Sequence, residues 1–422
     1  MRAVVFVLFC FVAVSGIAAS PTYRVDYQVA FEPAQKSARV SITLTSGKGR
    51  VSSLRFRMDP TRYSAIQGDG EIVRKGEYLT WKPPHAGGSL HYRYAIEHRR
   101  KSGGYDARIT PTFAIVRGDN LVPSVTVRAT RGAQSEARLS AVLPPGWSGF
   151  ETPWHPLPEG RVFRVDEPSR NFDRPTGWII AGDLGVRRDL IEVESGGCLD
   201  CGHLDCGVGC FAISVAAPKG EDVSRNDILG VVHATAPAMY EAFGSLPQKV
   251  LIISAGDPMW RGGLSGPYSL FVHSDRPLIS ENGSSTLMHE MVHVITRLHA
   301  VSGDDWIVEG IAEYYSMALL HRAGLLSDAR LARGIAWMRN HGKRIKQLHS
   351  DRSSGPRTAR AVALLADLDA ELRKRSDGKR SLDDVVKQLR KRRQVSVQDL
   401  RAIATDLLHG TPAKTLSTPL LD

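Results

Sequence analysis

The residues most able to do chemistry are His289-Glu290-Met291-Val292-His293, two imidazoles four positions apart with a carboxylate between them. On a helix, positions i and i+4 are one turn apart and about 40° apart in azimuth, so both rings face one point and can grip a zinc ion. Glu290 follows the first histidine directly and can take a proton from a water as that water attacks a carbonyl. A hydrolytic zinc site uses three protein ligands and leaves a fourth position open. The third donor comes sixteen residues after His293, at Glu309 in the run Trp306-Ile307-Val308-Glu309-Gly310-Ile311-Ala312-Glu313-Tyr314-Tyr315. Glu313 lies one turn further on, where it can accept a hydrogen bond from a ligand histidine and fix its tautomer. The competing account makes His289 and His293 ordinary core histidines and Glu309 a surface carboxylate. A second acidic helix at that spacing weighs against it.

These residues need two helices to hold them. One is expected over 287–298, where Met288, Val292 and Ile295 supply an apolar face and Ser284, Ser285 or Thr286 can cap the start. The other is expected over 306–320, with Trp306 as a packing residue. Upstream, 222–243 has helical spacing with Pro237 inside it, which predicts a kink or break. Residues 250–253 read as a short buried strand and 269–272 as another, following the Gly-rich 261–264. The segment 269–273 is either an edge strand along which an extended peptide could pair or a plain core strand. From about 330 to 408 the pattern is mostly helical, and 411–422 reads as an unstructured tail.

The first third has a different period. Tyr23-Arg24-Val25-Asp26-Tyr27-Gln28-Val29 alternates, as does Ala38-Arg39-Val40-Ser41-Ile42-Thr43-Leu44, with Gly and Pro about every ten residues. This predicts a β-rich, sandwich-like domain over 21–175, left through a Pro- and Gly-rich stretch from 144. The expected fold class is therefore α+β multidomain. A β-rich N-terminal domain precedes an α+β zinc domain over 176–320 and a helical C-terminal region over 321–410.

The 422 residues suit two to three domains of about 150 residues each. Met1-Arg2, an apolar run over 3–13 and the small residues Ala18, Ala19 and Ser20 read as a secretory signal peptide over 1–20, with an uncleaved anchor as the alternative. Export to a periplasm or to the exterior implies an oxidising compartment. Four more cysteines, Cys198, Cys201, Cys206 and Cys210, fall in one Gly-rich loop over 195–210. They can bind a structural metal, with or without His203, but clustered cysteines in an oxidising space more often form two disulfides. Lys387 to Arg393 carries five basic residues in an amphipathic pattern, a solvated face or a contact for an anionic envelope surface.

With these motifs in place, the sequence resembles the gluzincin metallopeptidases, and especially the glycyl aminopeptidase family, relatives of aminopeptidase N. The resemblance rests on HEMVH followed by WIVEGIAEYY. It continues through the segment from Glu371 to Val385, which is similar to the family's helical stretch after the zinc site, and into the β-rich first third. It implies a thermolysin-like catalytic domain, one catalytic Zn2+ and hydrolysis of a peptide or protein substrate. His289, His293 and Glu309 would be the ligands and Glu290 the general base.

Three departures accompany the resemblance. The family's Gly-Gly-x-Glu-His pattern, whose glutamate binds a substrate's free amine, is Gly262-Gly263-Leu264-Ser265-Gly266 here, and a neutral hydroxyl cannot pair with an ammonium as a carboxylate does. The family's oxyanion-binding tyrosine has no counterpart around 357–361, since no tyrosine follows Tyr315. His273, His341, His349 and Arg357 are the conceivable substitutes. The chain also ends too soon to hold the PDZ-like module of many relatives. A zinc-retaining peptide-binding protein with impaired catalysis and a narrow endopeptidase are thus the alternatives to an aminopeptidase. Charge adds a constraint: residues 1–175 carry net +10, 176–320 net −10 and 321–422 net +11, within an overall +11. The acidic middle favours Zn2+ and cationic peptide segments over nucleic acid.

Overall fold

The computed structural model describes residues 20–167, 172–193, 210–392 and 394–421. Alternation in the first third produces strands whose inward residues are fully buried. Val25, Tyr27 and Val29 of strand Thr22–Glu32 face one core with Val40 and Ile42 of strand Ser37–Ser46. Seven strands form the larger sheet, in which Thr22–Glu32 lies between Ser37–Ser46 and a parallel Gln134–Val142. A four-stranded sheet supplies Leu54, Phe56 and Trp81 to the same core, so the expected sandwich is present. The short helix α1 (Gly118–Leu121) follows strand Phe113–Arg117 of a further sheet.

A third, five-stranded sheet joins this domain to the next. Its strands Phe113–Arg117 and Trp178–Gly182 are antiparallel neighbours with both faces covered. Ala114, Val116, Ile179 and Ala181 point into the sandwich core, while Ile115, Trp178 and Ile180 pack on Leu251, Ile253 and Phe271 beyond. Residues 176–182, expected in the zinc domain, therefore complete the N-terminal domain. A boundary at 175 cannot show this, because strand pairing is set by a partner more than sixty positions upstream.

The next part of the chain has a five-stranded sheet in the order Leu184–Glu192, Cys210–Pro218, Lys249–Ala255, Ser269–His273, Gly263–Gly266. The central strands are parallel and Lys249–Ala255 is buried along its whole length, as expected for a strand covered on both faces. Ser269–His273 is interior, and the edge is Gly263–Gly266. The Gly-rich segment has little intrinsic strand preference and forms one only by pairing with its neighbour.

Helix α2 (Arg225–Phe243) runs through Pro237 without a break, capped by Ser224 and closed by Gly244 in the left-handed region. Then come α3 (Thr286–Thr296), α4 (Asp305–Arg322), α5 (Asp328–Gly342), α6 (Pro356–Arg375), α7 (Leu382–Leu389) and α8 (Val397–Leu407). One core holds the helix-facing side of the sheet together with all of these. The expected loose tail is instead packed: two short 3-10 turns bury Leu416, Leu420 and Leu421 in that core, and Leu348 N–H donates to the Leu420 carbonyl at 2.9 Å. Three leucines at the end of the chain gain more from burial than a free end gains in entropy. Among the described residues, no helix is long and apolar enough to cross a membrane.

Candidate metal centre

Helix α3 begins where the Ser285 side chain accepts the Met288 N–H at 3.3 Å, which selects one of the three candidate caps. Leu287, Met288, Met291, Val292 and Ile295 bury one side of the helix. That fixes its rotation, and His289 and His293 emerge together on the other side. Helix α4 packs alongside and brings Glu309 to them. Its next turn is held close to α6 by Gly310, where a Cβ would come within 2.8 Å of the Ala361 Cβ.

The three donors converge. The Nε2 atoms of His289 and His293 are 3.1 Å apart, and Glu309 oxygens lie 3.4 Å from the first and 3.5 Å from the second. Ligands at about 2.0–2.1 Å from a tetrahedral zinc are separated by about 3.3 Å along each edge. The donor triangle therefore fits a zinc ion and leaves a fourth direction open. Among the described residues, this is the one group of three His, Cys, Asp or Glu donors within reach of a common ion.

Glu313 reaches His289. The His289 Nδ1 lies 2.8 Å from the Glu313 carboxylate, and that hydrogen bond orients the ring. Burial pushes the His293 imidazole down to about 4, with repulsion from His289 adding to it. Burial also opposes charge on His289, but hydrogen bonds to Glu309 and Glu313 overcome it and hold that ring well above the usual range. The same negative field favours a divalent cation between the donors.

Glu290 is buried, and burial raises its carboxyl to about 7, partly offset by the His289 charge and by hydrogen bonds from Ser265. Ser265 lies beside that carboxylate, where its hydroxyl and main-chain N–H act to lower it. The residue standing where the family has an amine-binding glutamate thus touches the candidate base. Gly263 is equally close: a Cβ there would lie 2.5 Å from the Glu290 Cγ. The N-terminal domain holds this edge strand from the other side. Arg117 Nη1 donates to the Ser265 carbonyl at 3.1 Å, and Trp178 Nε1 donates to the Leu264 carbonyl at 2.8 Å.

No protein-family model matches the sequence, and a comparison with curated proteins finds no match. Solved structures do match. An aminopeptidase N family protein from Idiomarina loihiensis superposes with a TM-score of 0.62 at 14% identity, covering 87% of this chain and 70% of that one. An M1 zinc metallopeptidase from Deinococcus radiodurans gives 0.58 at 15% identity, over 95% of this chain and 92% of that one. A mutant of the Deinococcus metallopeptidase, bound to a Tyr-Ser-Ala substrate, gives 0.57 at 16% identity over the same shares. The chain has the M1 zinc metallopeptidase fold. The M1 architecture agrees with the sequence expectation of a β-rich domain, a thermolysin-like domain and a helical end.

Within this M1 fold, not every candidate residue reaches the centre. His273 is buried at the end of its strand, where Nδ1 accepts the Asp275 N–H at 3.1 Å. The His349 ring packs over Gly303, and Arg357 donates to Ser350 at 3.2 Å. His341 alone of the four lines a cavity that His289 and Glu309 also line. Cys210 is buried at the start of a strand, while Cys198, Cys201, Cys206 and His203 lie outside the described residues, as does the proposed signal segment. The basic run straddles the end of α7, and among its described residues Arg390 turns inward and Arg392 pairs with Asp399 at 2.7 Å. Sequence reasoning missed the cleft wall. Arg330, Arg333 and Trp337 of α5 border a cavity of about 840 Å3 that His289 and Glu290 also border. Their spacing on one face of α5 was the available clue.

Proposed function

We propose that the protein is an exported zinc-dependent metallopeptidase that hydrolyses peptide bonds with Glu290 as general base. The observation that carries this reading is the donor triangle of His289, His293 and Glu309 with a buried carboxylate one residue from the first ligand. When bound, zinc supplies the Lewis acidity that activates water and polarises a carbonyl near neutral pH. Glu290 then accepts the proton of the attacking water and passes it to the leaving amine. Ser265 and Gly263 keep that carboxylate in place, and Glu313 keeps His289 in the ligating tautomer. Export rests on the apolar N-terminal run and its small-residue end.

A second reading concerns where the enzyme cuts. Ser265 stands beside Glu290, and a hydroxyl offers no charge to a substrate ammonium. This favours an endopeptidase over an aminopeptidase. Metal analysis and a peptide-library digest test both readings. We expect one zinc per chain and cleavage at internal bonds. Absence of zinc would remove the site, zinc without cleavage would leave a peptide-binding protein, and release of N-terminal residues alone would restore the aminopeptidase.

A further inference from the structure

The large cavity beside the metal centre has two kinds of wall. On the metal side stand Glu290 and Glu313, both engaged with neighbours already described. On the other side stand Arg330 and Arg333 of α5, with Arg276 from the loop after strand Ser269–His273. None of these three guanidinium groups forms an ion pair among the described residues. Arg330 uses one nitrogen on the Ser280 carbonyl at 3.0 Å, and Arg276 uses two on the Arg261 carbonyl at 2.9 and 2.6 Å. Arg333 makes no hydrogen bond or ion pair among the described residues. The one carboxylate on that side of the cavity is Glu281, which is exposed.

Surface arginines normally project into solvent. These three converge on one concavity while retaining free N–H groups. A guanidinium presents a planar fork that matches a carboxylate, and such a pair is strongest where the surroundings exclude water. Position along α5 sets the distance. Trp337 borders both this cavity and the smaller one that His289 and Glu309 line, while Arg330 and Arg333 border only the first, so the Trp337 end of α5 is the one nearer the donors. Arg333 and Arg330 lie four and seven residues before it, about 6 and 10 Å along the helix. An extended peptide covers that in two or three residues at about 3.3 Å each.

We propose that the cleft selects peptides bearing a carboxylate two or three residues from the scissile bond, with Arg330 and Arg333 as its receptors and Arg276 in support. The carboxylate is either the C-terminus of a short peptide or an Asp or Glu side chain. The proposal builds on the metallopeptidase reading for cleavage, but its recognition step stands independently.

The test separates the two. Alanine-based hexapeptides are prepared with a free C-terminal carboxylate, with a C-terminal amide, and with the amide plus one Glu scanned through the positions. Binding to zinc-loaded Glu290→Gln protein is measured by calorimetry, and cleavage by zinc-loaded wild type is measured as kcat/KM. We expect an acidic form to bind at least about tenfold more tightly than the neutral amide. Whether the free terminus or one Glu position carries the gain identifies the source. The preference should fall to within about twofold in Arg330→Gln/Arg333→Gln. Arg333→Gln alone should lower it too, and that residue is exposed and unbonded, so loss of folding would not confuse the result. Binding preference without cleavage would support the carboxylate site and overturn the peptidase reading. Equal or undetectable binding of acidic and neutral forms, or a preference unchanged in both variants, would overturn the proposal.

Discussion

At the scale of residues, the centre is a set of short contacts around Glu290. Gly263 matters because it has no side chain. Its Cβ would sit 2.5 Å from Glu290 Cγ and 2.7 Å from Oε1, a gap that closes only if the carboxylate moves. Misplacing a catalytic group by about 1 Å can cost about 100-fold in rate. Gly263→Ala should therefore lower kcat by about 10- to 100-fold while zinc content, measured by metal analysis, stays at one per chain. A variant that keeps its rate would mean that Glu290 is not held by the edge strand. The clustering of His289, His293 and Glu309, with Glu290 and Glu313 beside them, was legible because helical geometry turns spacing into direction. Ser265 was legible only as a departure. That it lies beside Glu290 depends on how the edge strand pairs, and spacing alone does not encode pairing.

At the scale of elements, helix α3 is fixed at both ends. Ser285 caps its start, and Arg390 reaches its finish. Arg390 donates to the carbonyls of Phe243 at the end of α2 and Ile295 near the end of α3, the latter at 3.1 Å, and to Ser245 Oγ at 3.2 Å. The last carbonyls of a helix lack intrahelical partners and carry its partial negative charge, so one half-buried guanidinium satisfies two helix ends. Arg390→Met leaves those carbonyls unpaired. It should destabilise the protein by about 2–4 kcal/mol in chemical denaturation. A loss below about 0.5 kcal/mol, typical of a solvated surface position, would contradict this role. In sequence Arg390 is one member of a basic run and nothing marks it. Helices α3 and α4 were legible from caps and period. The edge strand was not, since Gly263–Gly266 resembles a loop until its register with Ser269–His273 is known.

At the scale of the whole molecule, the N-terminal domain is part of the site's support. Arg117 and Trp178 grip the edge strand, and Lys249, the first residue of a central strand, donates to the Thr152 and Trp154 carbonyls at 3.0 and 2.6 Å. Burial lowers the Lys249 ammonium to about 8, with Glu151 opposing and Arg188 adding to the effect. A folded value below the unfolded one means the unfolded chain holds the extra proton between about pH 8 and 10.5. Stability from this group therefore rises with pH across that window, by about 1.4 kcal/mol per unit. The stability difference between wild type and Lys249→Met should show that slope, while buried tyrosines, common to both proteins, cancel. A pH-independent difference would place Lys249 in an ordinary solvated setting. Charge summed by sequence segment misled in one respect. The basic final stretch does not stay apart from the acidic middle, because α5 folds over the cleft and lines it with arginine. The proposed hydrolysis rests on one metal ligand set and one carboxylate. Its most direct test is the rate of peptide hydrolysis by zinc-loaded wild type and zinc-loaded Glu290→Gln. Equal zinc content with a rate lower by about 1000-fold or more in the variant is the predicted result; equal rates would contradict it.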